Sequence, residues 1–84
     1  MSYSIKWHPK AHKFLKSLPN DIIKRVLNKF DLLAQDPFRF LEHYEGENAY
    51  KFRIGDYRAL IDVDFQNKIL LVRLFDKRER IYER

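Results

Sequence analysis

At 84 residues the chain suffices for one small domain, near the size where a single core only just holds, and its 45% hydrophobic and 35% charged residues describe a globular rather than a disordered chain. The absence of cysteine excludes disulfide staples and thiolate metal sites. A net charge of +5 favours an acidic partner, either nucleic acid or an acidic protein.

The first element is a short strand at residues 2–7, where Tyr3, Ile5 and Trp7 alternate with polar neighbours. His8-Pro9 opens a helix in which Ala11, Phe14, Leu15 and Leu18 form one apolar stripe. Pro19-Asn20-Asp21 breaks it and starts a second helix, with Asn20 as the expected N-cap. Ile22, Ile23, Val26, Leu27, Phe30 and Leu33 line that helix, which ends near Asp36-Pro37. Residues 38–47 have no clear period and are expected to form a loop whose aromatics cover the core. Strands follow at 48–54, 57–64 and 68–75, with a turn near Gln66-Asn67. The last, "KILLVRLF", is apolar enough for a central strand covered on both faces apart from Arg73.

The expected architecture is therefore α+β and a single domain over residues 1–84: an N-terminal strand, a helical hairpin, then three antiparallel strands, with the helices on one face of a small sheet. No segment resembles a signal peptide, and no apolar run approaches the ~20 residues of a membrane span. The expected location is the cytoplasm, without membrane contact.

The distribution of cations is more informative than their sum. Residues 1–45 carry six Lys and two Arg, whereas residues 46–84 carry three Lys and six Arg. Arginine's planar fork grips phosphate oxygens in pairs, so the second half is where phosphate binding is expected. In "YKFRIGDYR", Tyr50, Phe52 and Ile54 alternate with Lys51 and Arg53, and Gly55-Asp56 suits a type II′ turn. That register sets Arg53 opposite Arg58 and Lys51 opposite Leu60. Two like charges facing across a ladder repel by ~0.2–1 kcal/mol, a cost that makes sense if an anion lies between them.

Lys77, Arg78 and Arg80 leave the sheet after the last strand, followed by Tyr82, and the tail can return to this face. Converging cations with one aromatic suit a nucleotide, the guanidiniums on phosphate and the ring on a base. A solvated basic face with Tyr82 packed on the core is the competing reading. If the site cuts RNA, the 2′-OH is the nucleophile, and Lys51 is the candidate base because neighbouring guanidiniums disfavour a charged ammonium. Arginine is a poor base, since its guanidinium stays protonated. Arg78 or Lys77 would sit by the leaving 5′-oxygen.

Other groupings carry less. His8 and His12 have zinc spacing without a third ligand nearby. Asp62 and Asp64 share a strand face but suit surface solubility better than Mg²⁺, His43 has no triad companion, and Trp7 suits the core. No metal or cofactor is expected.

"LPNDIIKRV", "YKFRIGDYRALIDV" and "RLFDKRERIY" resemble the RelE/ParE toxin superfamily, in particular its RelE-like branch, from about Tyr3 to Tyr82. The resemblance implies a toxin of a type II toxin–antitoxin module that enters the ribosomal A site and cleaves mRNA without metal, by 2′-OH attack that leaves a cyclic phosphate. It places the family's functional residues on Lys51, Arg53, Arg58, Arg78 and Tyr82, with Lys77 and Arg80 as further RNA-binding positions. Arg53 departs from the lysine common in this branch, which leaves the base role to Lys51. The implied partner is a RelB-like helical antitoxin, in a hetero-oligomer that blocks the basic face. Two alternatives stay open: a gyrase poison of the same fold, and a basic RNA-binding module without activity.

Overall fold

The computed structural model describes residues 2–46 and 48–77. Its elements run β1 (Ser4–Trp7), α1 (Pro9–Lys16), α2 (Asn20–Gln35), α3 (Pro37–Phe40), β2 (Glu42–Glu45), β3 (Ala49–Ile54), β4 (Tyr57–Asp64) and β5 (Ile69–Lys77). The five strands make one mixed sheet in the order β1-β5-β4-β3-β2. β1 runs parallel to β5, and the other pairs are antiparallel. The chain has the expected α+β order, enlarged by α3 and β2 where a loop was expected.

Local chemistry explains most boundaries. His8 caps α1, its Nδ1 accepting a hydrogen bond from the Lys10 backbone N–H at 3.2 Å, and Pro9 begins the helix. Asn20 is not the cap of α2. It is already the first helical residue, and Pro19 holds the cap position, without a side-chain capping bond. Asp21 still lies in the first turn, where its charge favours the helix dipole.

The core lies between the helices and one face of the sheet. Phe52, Ile54, Ala59, Ile61, Val63, Leu70, Val72 and Phe75 meet Ala11, Leu15, Val26, Phe30 and Leu33 there. Phe30 ties α2 to three strands of the sheet, with its ring 4.8 Å from Trp7, 5.2 Å from Phe52 and 6.3 Å from Phe75. Trp7 is thus a core-facing residue, as its alternation predicts.

β5 is an interior strand, but only one of its faces is covered by helices. On the other, Ile69, Leu71 and Leu74 are half-buried on an open sheet face. A bulge between Leu60 and Ile61 makes Arg73 the extra residue of β5, and its Nε lies 3.3 Å from Asp62 Oδ2. Asp64 turns the chain into β5 by accepting hydrogen bonds from the Asn67 backbone N–H at 3.0 Å and the Asn67 amide at 2.9 Å.

Truncating Phe30→Ala should cost about 3–5 kcal/mol, read from denaturant unfolding, because the vacated volume lies inside packed rings. The turn should respond to acid. The Asn67 side chain, followed by its backbone N–H, holds the Asp64 carboxyl below its ordinary value of 3.8. A carboxyl lowered in the folded state stabilises above its unfolded pKa and loses that contribution as pH falls through the folded one. In an NMR titration, Asn67→Ala should move the Asp64 midpoint up toward the ordinary value.

Candidate functional site

The site is built by the β3–β4 hairpin. Gly55 has φ +54°, and Asp56 is not among the described residues with positive φ, as a type II′ turn requires. This turn pairs Ile54 with Tyr57, Arg53 with Arg58, Phe52 with Ala59 and Lys51 with Leu60. Because side chains alternate, Lys51, Arg53 and Arg58 share the face that the helices leave open. The register that sets two arginines opposite each other is present.

The three cations have different surroundings. Arg53 is exposed, Lys51 is half-buried, and Arg58 is only 1% exposed. Arg58 stands on the central strand between Arg53 on β3 and Asp76 on β5, its partners in register. It contributes to a recess of about 240 Å³ with Phe40, Glu42, Lys51, Phe52 and Arg53. The accessible rim of the site is therefore Lys51 and Arg53, with Arg58 forming part of its wall.

The strand β2, absent from the sequence reading, supplies the other wall. Glu42 is in register with Lys51, and its Oε1 lies 4.0 Å from Lys51 Nζ. Lys51 Nζ also stands 5.5 Å from the centre of the Tyr44 ring. Both contacts attract the ammonium. Glu42 and Tyr44 are thus site residues that sequence reasoning missed, because a four-residue edge strand leaves little period to detect.

Lys77 does not leave the sheet with the tail. It is the last residue of β5, in register with Tyr57, whose ring packs with Phe14 and Phe75 beneath the helices. Strand alternation consequently brings Asp76, not Lys77, to the face of Arg58. Arg78, Arg80 and Tyr82 lie outside the described residues.

The remaining groupings have structural uses. His8 caps its helix, His43 Nε2 bonds the Gly46 carbonyl, Asp62 meets Arg73 and Asp64 holds its turn. Among the described residues no group of three or more His, Cys, Asp or Glu is arranged to hold a metal ion. None of their helices is long and apolar enough to cross a membrane.

A family model described as "ParE toxin of type II toxin-antitoxin system, parDE" matches residues 5–82. The chain belongs to the RelE/ParE toxin family of type II toxin–antitoxin systems. Its fold is similar to that of a chain in the archaeal RelE-RelB complex from Pyrococcus horikoshii. That match has a TM-score of 0.82 and 31% identity, covering 95% of this chain and 99% of the other. A chain of the toxin–antitoxin complex RelBE2 from Mycobacterium tuberculosis gives 0.81 and 25%, over 93% of this chain and 100% of that one. An E. coli RelE mutant in the free state shares the fold, with a TM-score of 0.77 at 19% identity over 99% and 93% of the two chains.

If Arg53 binds backbone phosphate, salt dependence reports it. Arg53→Ala should weaken binding of single-stranded RNA and reduce the slope of log K against log salt by about 0.7, the value for one phosphate contact on a single strand.

Proposed function

We propose that this toxin is a ribosome-dependent endoribonuclease that cleaves mRNA in the A site and so inhibits translation. The observation that carries the reading is the Arg53–Arg58 pair with Lys51 beside it on an open sheet face, a cluster suited to the negative charge that grows on a phosphorane. RNA brings its own nucleophile. Lys51 accepts the 2′-OH proton as that oxygen attacks phosphorus, and the bond from phosphorus to the 5′-oxygen breaks. The products are a 2′,3′-cyclic phosphate and a 5′-hydroxyl.

Arg53 holds a non-bridging oxygen, and Arg58, buried behind it, adds positive charge from the wall of the recess, where low solvent access weakens screening. Arg78 stabilises the leaving oxygen or returns its proton, Tyr82 stacks on a base, and Arg80 adds attraction for the RNA backbone. The chemistry requires no metal-bound water, because the substrate supplies the attacking hydroxyl.

The partner we assign is a RelB-like antitoxin in a toxin–antitoxin hetero-oligomer. Similar chains were crystallised in RelE-RelB and RelBE2 complexes. A net charge of +5 would favour an acidic antitoxin segment over the face, shielding it from RNA. The family description leaves a gyrase-directed toxin as the second reading, because it names ParE.

The test is mRNA cleavage on purified ribosomes with an empty A site. Wild type should cut, while Arg78→Ala and Lys51→Ala should each lose at least about a hundredfold in rate, the lower end of general acid–base contributions. An uncut message beside inhibited gyrase would establish the second reading instead. An unchanged rate in Lys51→Ala would remove the lysine from the base role.

A further inference from the structure

The β2 strand carries an irregularity beside the cations. Its register runs Glu42 to Lys51, His43 to Tyr50, then Glu45 to Ala49, which makes Tyr44 the extra residue of a β-bulge. A bulge re-aims a side chain. Here it accompanies a ring that lies near Lys51 Nζ, on the open face, while His43 packs against Tyr50 on the other. Tyr44 is 41% exposed, although it belongs to a strand of the sheet. An exposed ring beside a cation is the repeating unit by which proteins hold single-stranded nucleic acid, phosphate on the charge and base on the ring.

Strand geometry orients the pair. Moving along β3, Arg53, Lys51 and Ala49 are successive residues of the open face, spaced by ~7 Å at strand rise. Arg53 and Arg58 occupy one end, Lys51 stands in the middle, and Tyr44 approaches from the Ala49 side. Beyond Ala49 a second recess of about 580 Å³ opens, lined by Asn48, Asp62, Ile69 and Leu71 among others. Its apolar side chains suit the flat face of a nucleobase, and the charged and polar ones, Asn48, Asp62 and Arg73 among them, suit its hydrogen-bonding edge. Glu42, with its side chain 68% exposed next to Lys51, disfavours a second phosphate at this end.

We propose that Tyr44 is a base-stacking residue, taking the base of a nucleotide that flanks the phosphate held by Arg53 and turning it toward the Ala49 recess. This inference rests on the RNA-directed reading of the face, but not on cleavage.

The test uses the full-length toxin and a single-stranded RNA carrying 2-aminopurine, with 2′-O-methyl sugars throughout so that it cannot be cut. Wild type should bind and quench the 2-aminopurine fluorescence. Tyr44→Phe should match it. Tyr44→Leu, which keeps apolar bulk without the π face, should bind about tenfold more weakly and lose most of the quenching, while melting within a few degrees of wild type. Wild-type affinity and quenching in Tyr44→Leu would overturn the stacking role and leave the nuclease reading standing. Quenching that depends on Tyr44 in a toxin that leaves ribosomal mRNA uncut would support the stacking role while the nuclease reading fell. RNA that wild type does not bind would overturn the stacking role alone, because the nuclease reading is decided on ribosomes.

Discussion

Everything proposed for this face depends on the pairing of β3 with β4. The backbone of Gly55 is left-handed, a conformation that costs an L-residue about 1–2 kcal/mol and glycine almost nothing, and the hairpin closes over two residues because of it. Once the turn is fixed, every side chain of both strands is assigned to a face. A shift by one residue would carry Phe52, Ile54 and Ile61 out of the core as it carried Lys51 and Arg53 under the helices. Burial of the apolar set therefore enforces the exposure of the basic one. The juxtaposition of Arg53 and Arg58 follows from the register that packs the apolar set.

Around that hairpin the sheet adds one neighbour on each side, and each changes the charge seen by an RNA. β5 places Asp76 across from Arg58, and β2 places Glu42 across from Lys51. The cations are thus bordered by carboxylates at both flanks, leaving a positive track along the strand direction between them. A backbone running along β3 would keep its phosphate over Arg53, with Glu42 and Asp76 to either side. This arrangement selects an orientation as well as a charge, which a uniformly basic surface would not do.

Much of this was legible in the sequence, where burial writes a period. Alternation at Tyr50, Phe52 and Ile54 and a Gly-Asp turn predict the hairpin down to its register, and the stripes of both helices follow from their spacing of three and four. The segment at 38–47 did not yield, for physical reasons. α3 is a single turn, and β2 has four residues, an open face and a bulge, so neither repeats long enough to show a period. The parallel pairing of β1 with β5 is equally silent, since alternation reveals a buried face and not the partner strand. Arg58 was counted with the accessible cations because it alternates with them, and one strand's pattern cannot report its near-complete burial.

The central claim is that RNA lies on the open face of the β3–β4 hairpin. It is tested most directly by mapping amide and side-chain NMR shifts of the isotope-labelled toxin on addition of an uncleavable 2′-O-methyl mRNA fragment. The account predicts shifts concentrated at Glu42, Tyr44, Lys51, Arg53 and Arg58, with the α1 surface around Lys10, Lys13 and Lys16 unmoved. Shifts confined to that helical surface, with the hairpin silent, would contradict it.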